Sequence, residues 1–178
     1  MFNDCKNVIK MSKGIVLLEN GFQEAELIYP YYRMQEAGYD VDLVSEKKGE
    51  VYEGEYGYKF KSDKAAKNVD PSDYEFLIIP GGRGPDRMRI KEDIVELVGK
   101  AVEKDLVIAA ICHGAQVLIE ADVVKGKKAT CWRSVGTDLK NAGAEYVDEE
   151  VVVDGNLVTS RMPPDLPAFT REVLNLLK

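Results

Sequence analysis

The residues of this chain best placed to do chemistry lie in one short run, Ala110-Ile111-Cys112-His113-Gly114. The apolar stretch 106–110 reads as a buried strand, and 115–121 reads as the start of a helix. A cysteine at a strand-to-helix turn holds its sulfur clear of the sheet, facing the backbone N–H groups of the helix N-terminus. Those dipoles favour the thiolate over the thiol. The hydroxyl counterpart of this turn is the strained nucleophile elbow. Cys112 is therefore read as a reactive nucleophile rather than an inert cysteine that ends a core strand.

A carbonyl under attack needs donors for its oxygen. The run Pro80-Gly81-Gly82-Arg83-Gly84-Pro85-Asp86 follows an apolar segment, 76–79. Two successive glycines let the backbone approach a ligand closely and present N–H groups. The N–H groups of Gly82 and His113 are expected to form an oxyanion hole beside Cys112. The plain alternative is a tight turn that needs glycine. A phosphate cradle is disfavoured, because no Gly-Lys-Ser/Thr follows and no GxGxxG is present.

Proton transfer needs a base or acid in reach. Glu26 follows the first strand closely enough to lie beneath the turn. A carboxylate beside a thiolate is a like-charge pair, so one of the two prefers to keep its proton. Protonated, Glu26 would hydrogen-bond the sulfur and hold the thiolate; ionised, it would take a proton from substrate. Taken singly, Glu26, Glu24 and Gln23 read better as solvated residues of a helix first turn. His113 is adjacent to Cys112, and adjacent residues do not face each other on a helix. Its ring needs a third group to orient it, with Asp86 the candidate, from this chain or a neighbouring subunit. Alternatively His113 contributes only its main-chain N–H.

The chain has 178 residues, enough for one domain whose core needs no staples. A net charge of −7 argues against nucleic acid or an anionic membrane as partner. No apolar run is long enough to span a bilayer. Residues 1–10 carry no hydrophobic segment and no small-residue cleavage site, so no secretory signal is expected. Cys5, Cys112 and Cys131 show no metal-like spacing and read as reduced thiols of a cytoplasm. His113 is the sole histidine, which leaves no second imidazole for a His-based metal site. No metal or cofactor is expected.

The elements that must position these residues are legible in outline. Strands are expected at 14–18, 41–44, 76–79 and 106–110, and a further one at 129–132. Helices are expected at 23–37, 90–103, 115–121, 137–142 and 166–177, with Pro30 kinking the first or delaying its start. The charged, tyrosine-bearing stretch 46–61 suits small antiparallel strands or a hairpin. Asp154-Gly155 between two β-branched runs makes a hairpin over 151–159. Solid apolar strands alternating with helices make a doubly wound α/β sandwich, a mostly parallel central sheet with helices on both faces, plus a small antiparallel hairpin. Ligands of such sheets bind beyond the strand C-termini, where 19–26, 80–86 and 112–114 are expected to meet. Residues 1–12 read as an N-terminal extension, with Met11 an alternative start, and 13–178 as a single domain.

Four strings carry a resemblance: GFQEAELIYPYYRMQEAG, IIPGGRGPDRMR, AAICHGAQVLIEADVVKGKKAT and EVVVDGNLVTSRMPPDL. Together they resemble the PfpI intracellular cysteine proteases and the related Parkinson-associated protein deglycases, within the class I glutamine amidotransferase-like fold. The resemblance runs from about Gly14 to the C-terminus. It implies a flavodoxin-like sandwich, Cys112 as nucleophile, Glu26 as the carboxylate beside it, and Gly82 and His113 as oxyanion-hole donors. It implies further that His113 is a dyad base oriented by an acid from an adjacent subunit, a position Asp86 matches, in a homodimer or trimer of dimers. The chain departs from the pattern at Asp86, often glutamate in proteolytic members, and at Gln23, where an acid is common. Trp132 stands where a tyrosine is frequent near the pocket, and Tyr32 replaces a histidine.

The expected activity is that of a cysteine-dependent hydrolase or lyase on carbonyl substrates: a peptide, a 2-oxoaldehyde such as methylglyoxal, or its early adduct on proteins. The alternative is a non-catalytic redox sensor of a stress or chaperone-like protein, using an oxidisable Cys112. A glutamine amidotransferase would need a histidine downstream of the turn, and none follows His113. A flavin or nucleotide module is disfavoured by the acidic loop after the first strand.

Overall fold

The computed structural model describes residues 12–178. The expectations for the N-terminal segment, for Cys5 and for a start at Met11 lie outside the described residues. In chain order the elements are β1 (Lys13–Leu17), α1 (Glu24–Glu36), β2 (Asp40–Ser45), β3 (Val51–Glu53), β4 (Lys59–Lys61), β5 (Lys64–Ala65), β6 (Phe76–Ile79), α2 (Gly84–Met88) and α3 (Glu92–Glu103). Then follow β7 (Val107–Ile111), α4 (Ala115–Glu120), β8 (Lys128–Ala129), α5 (Gly136–Asn141), β9 (Glu145–Tyr146), β10 (Val151–Asp154), β11 (Leu157–Ser160) and α6 (Leu166–Leu176).

Seven strands form the central sheet in the order β10-β11-β7-β6-β1-β2-β5. Every neighbouring pair is parallel except the β10–β11 hairpin. The apolar runs explain this arrangement. Along β1, Ile15 and Leu17 face one side while Val16 faces the other, and all three are fully buried. A strand with both faces covered has no room for a polar alternation. One face packs on α2 through α5, with Met88, Leu97, Val98, Val117 and Leu139 in its core. The opposite face packs on α1 and α6 through Leu27, Met34, Phe169 and Val173. This is the doubly wound α/β sandwich read from the sequence.

Helix α1 runs unbroken through Pro30, where a kink or a late start was expected. Pro30 falls with Leu27 and Met34 on the buried stripe of the helix, so packing holds a segment that proline alone would destabilise by about 3 kcal/mol. The segment 129–132 does not extend as a strand. The Thr130 N–H donates to Thr159 Oγ1 at 2.9 Å, and the Trp132 N–H donates to the Cys112 carbonyl at 3.1 Å. Side chain and elbow have taken the donors that a ladder would use. The glycine-rich run does not stay a loop, because Pro85 sits in the first turn of α2, where its missing N–H costs nothing.

The chain leaves β1 toward one face of the sheet and leaves β6 toward the other. The crevice between those two adjacent strand ends is where such sheets place a ligand. Three segments are laced across it. The Arg83 N–H donates to the Gly21 carbonyl at 2.7 Å, and the Gln23 N–H to the Gly81 carbonyl at 3.1 Å. The β3–β4 hairpin joins them, with the Glu55 N–H donating to the Phe22 carbonyl at 3.0 Å. Among the described residues, no helix is long and apolar enough to cross a membrane.

Candidate active site

Cys112 ends β7 and opens a single turn of 3-10 helix, Cys112–Gly114, that leads into α4. Its φ is +61°, a left-handed conformation that costs a non-glycine residue roughly 1–2 kcal/mol. The strain aims the side chain out of the sheet and into a cleft of about 740 Å³. Cys112 is 8% exposed, buried yet part of the cleft lining.

Glu26 comes from the first turn of α1. Gln23 caps that helix, its Oε1 accepting the Glu26 N–H at 3.0 Å. The Glu26 side chain has no exposed surface. Its Oε2 accepts the Gly81 N–H at 2.9 Å, while Oε1 is buried with no hydrogen-bond partner among the described residues. Gly81 is wedged into this corner: a Cβ there would lie 2.3 Å from Glu26 Oε2 and 2.7 Å from Cys112 Cβ. Only glycine lets the three segments close on one another. Gly82 adopts φ +81°, and a Cβ on it would strike the Gln23 nitrogen at 2.4 Å.

Burial pushes the Glu26 carboxyl up to about 7, against the opposing pull of the Cys112 thiol and the Gly81 N–H; the Glu55 charge adds to the rise. Burial also pushes the Cys112 thiol up, and the neighbouring Glu26 charge pushes it further. The N–H groups of His113 and Gly82 act the other way, stabilising charge on the sulfur. This corrects the expectation of a depressed thiol. Here desolvation and a carboxylate outweigh the amide dipoles, so Cys112 and Glu26 titrate as one coupled pair. With one proton between them, the pair exists as carboxylate and thiol or as carboxylic acid and thiolate.

The His113 ring is half-buried, and burial holds it below its usual value of 6.5, offset in part by the charges of Glu55 and Asp86. It is neutral near pH 7 and able to accept a proton. Trp132 lines the same cleft, its ring centroid 6.5 Å from that of His113. Asp86, in the first turn of α2, is exposed at the cleft mouth. Within this chain it attracts the ring electrostatically and makes no hydrogen bond to it among the described residues.

Cys112, His113, Glu26, Asp86, Gly82, Gln23 and Trp132 thus all line one cleft. Tyr32 is on the exposed side of α1 and outside it. The cleft also holds residues that the sequence reading passed over: Glu55 and Tyr56 from the hairpin tip, Gln116 and Pro163. Gln116 was findable, since it lies four residues beyond Cys112, one helical turn on; its Oε1 is buried without a hydrogen-bond partner among the described residues. Glu55 carried no such signal, because nothing in the pattern of 46–61 says that the hairpin tip folds back over the elbow.

Known proteins are similar to this one along nearly the whole chain. The protein named deglycase PfpI of Pyrococcus furiosus is 46% identical over 166 residues, covering 93% of this chain and 99% of that protein. The putative cysteine protease YraA of Bacillus subtilis is 48% identical over 169 residues, covering 94% and 100%. A crystal structure from Anabaena variabilis, of a two-domain protein with DJ-1/ThiJ/PfpI-like and ferritin-like domains, superposes with a TM-score of 0.92 at 40% identity. The match covers 93% of this chain and 48% of that one. The pattern that defines the DJ-1/PfpI family matches residues 12–176. A strained cysteine on a strand-to-helix turn, with a buried glutamate against it, therefore sits in a chain that belongs to the DJ-1/PfpI family.

Proposed function

We propose that the protein is a cysteine-dependent enzyme that converts 2-oxoaldehydes, free or as early adducts on proteins, to 2-hydroxy acids. The observation that carries this reading is the buried Glu26 carboxyl against Cys112, pushed up to about 7. A group that titrates there gives and takes protons equally well at neutral pH. The names deglycase and putative cysteine protease borne by the two relatives support carbonyl chemistry in the family.

For methylglyoxal the steps balance without an external oxidant. The Cys112 thiolate attacks the aldehyde carbon, and the resulting oxyanion lies against the N–H groups of Gly82 and His113. That oxygen is protonated, giving a hemithioacetal. Glu26 as carboxylate removes the hydrogen on the former aldehyde carbon, forming an enediol, and returns a proton to the adjacent carbon. The first carbon is oxidised to the thioester level while its neighbour is reduced to an alcohol. Water then cleaves the thioester, releasing lactate and the thiol.

This route asks nothing of a precisely oriented histidine. Peptide hydrolysis does, since the leaving amine must be protonated, and the His113 ring has no orienting hydrogen bond among the described residues. In this reading peptidase activity depends on an acid from a second copy.

Incubation of the protein with methylglyoxal, and separately with an unfolded polypeptide, tests the reading by product analysis. Lactate formed catalytically, with the polypeptide intact, is the expected result. Cleaved polypeptide with no lactate would overturn it in favour of a peptidase. A single equivalent of oxidised or adducted Cys112 without product would overturn it in favour of a sensor.

A further inference from the structure

The tip of the β3–β4 hairpin is tied down over the cleft more firmly than an exposed loop requires. The Glu24 carboxylate at the start of α1 accepts the Tyr56 N–H at 2.7 Å and the Tyr58 N–H at 3.4 Å. The Gly21 N–H donates to the Glu53 carbonyl at 2.7 Å, and Asn20 Oδ1 accepts the Glu53 N–H at 3.0 Å. Between these ties the Glu55 N–H is bonded to the Phe22 carbonyl, and the Glu55 side chain turns into the cleft wall, 19% exposed. Arg83 Nε donates to Glu55 Oε1 at 3.3 Å, from a side chain that is itself 77% exposed.

We propose that Glu55, fixed in the cleft wall by the tethered hairpin tip and latched by Arg83, is a positioning residue. From that wall of the shared cleft its negative charge biases proton transfer at His113 and Glu26 during turnover. The inference rests on the reaction proposed above and names how that site is tuned. Its physical content is an inward-facing negative charge that favours imidazolium at His113 and the neutral acid at Glu26. The same carboxylate acts on both groups in that sense, opposing burial at His113 and adding to it at Glu26.

The other charged and titratable groups facing the pair do not duplicate it. Cys112 shares its proton with Glu26 and belongs to the reacting pair. Asp86 from α2 acts on His113 but lies exposed at the mouth, where water screens it. Arg87, also from α2, is exposed and donates to the Asn20 carbonyl at 3.4 Å. Tyr56 is 81% exposed at the rim. Glu24 of α1 commits Oε1 to the Tyr56 and Tyr58 amides, its Oε2 is buried without a hydrogen-bond partner among the described residues, and it does not line the cleft. Among the described residues Arg83 is the cation paired with Glu55, so it attenuates the field that Glu55 projects.

Because His113 is the only histidine, its imidazole titration is read without ambiguity by proton NMR on untagged protein. Glu55→Gln is expected to lower the His113 pKa by about half a pH unit, and Glu55→Asp to restore most of it. Asp86→Asn should lower it less. Arg83→Gln should raise it, because the latch no longer offsets the carboxylate. Glu55→Gln keeps an oxygen for Arg83, and the tip is tied through its main chain, so the fold should survive. In the same variant the pH profile of methylglyoxal consumption should move to lower pH, with kcat affected more than KM. An unmoved His113 titration in Glu55→Gln, or a larger shift in Asp86→Asn, would overturn the proposal. So would a shifted titration with an unshifted rate profile. A wild-type protein that consumes no 2-oxoaldehyde while the NMR shifts hold would sink the reaction and leave the electrostatic role of Glu55 standing.

Discussion

Gly81 donates its N–H to Glu26 Oε2 at 2.9 Å and leaves no space for a side chain between Glu26 and Cys112. One glycine thereby holds a carboxyl and a thiol in the same water-poor corner. The charge state of each depends on the other, and the account of the site follows from that coupling.

Replacing Gly81 or Gly82 should break the corner in two different ways. An alanine at 81 meets Glu26 Oε2 at 2.3 Å and Cys112 Cβ at 2.7 Å, both in the reacting pair. Gly81→Ala should therefore lose turnover and about 2 kcal/mol of stability through overpacking. An alanine at 82 meets main chain, the Gln23 nitrogen at 2.4 Å and the Gly21 carbonyl oxygen at 2.5 Å, at φ +81°. Gly82→Ala should be the more destabilising of the two. Urea midpoints of both variants check the order.

Glu26 makes stability depend on pH. Its native pKa of about 7 lies above the model-compound value of 4.5, so the unfolded chain gives up this proton first. The native state therefore loses stability as pH rises from 4.5 to 7, reaching a penalty on the order of 3 kcal/mol above that range. Glu26→Gln keeps an acceptor for the Gly81 N–H and cannot ionise. Its melting temperature should exceed that of the wild type at pH 8 and match it near pH 4.5. Thermal melts at the two pH values read this directly.

The same substitution should separate ionisation of the sulfur from catalysis. Above pH 7 the ionised Glu26 opposes a thiolate at Cys112. Removing that charge should let Cys112 react faster with iodoacetamide at pH 8, while 2-oxoaldehyde consumption falls by roughly 100-fold or more for want of the proton carrier. Alkylation followed by intact mass, alongside a turnover assay, checks both halves. Slower alkylation in Glu26→Gln would show that the carboxyl helps rather than hinders the thiolate.

The sheet and its two helical layers were legible because burial on both faces writes solid apolar runs such as Phe76–Ile79 into the chain. Cys112 and Gly82 were legible because a strand-end cysteine and paired glycines each carry a local mark, whereas Glu26 stood out from its neighbours in the first turn only through the family resemblance. Burial left no mark. Nothing in the order of residues says that Glu26 has no exposed surface, or that desolvation at Cys112 outweighs the helix dipoles. Nor does a local pattern reveal Glu55, whose place depends on Glu24 gripping amides more than thirty residues away. Short polar strands such as Lys64–Ala65 and Glu145–Tyr146 were missed for a related reason: two residues at a sheet edge have no periodicity to read.

Cys131 supplies a control for the central claim. It is 1% exposed and lines no part of the cleft, so it shares the chemistry of Cys112 without its position. The most direct measurement is the steady-state rate of methylglyoxal consumption, with lactate quantified, for wild type, Cys112→Ser and Cys131→Ser under identical conditions. Background rates are expected for Cys112→Ser and near-wild-type rates for Cys131→Ser. Turnover retained by Cys112→Ser would contradict that claim.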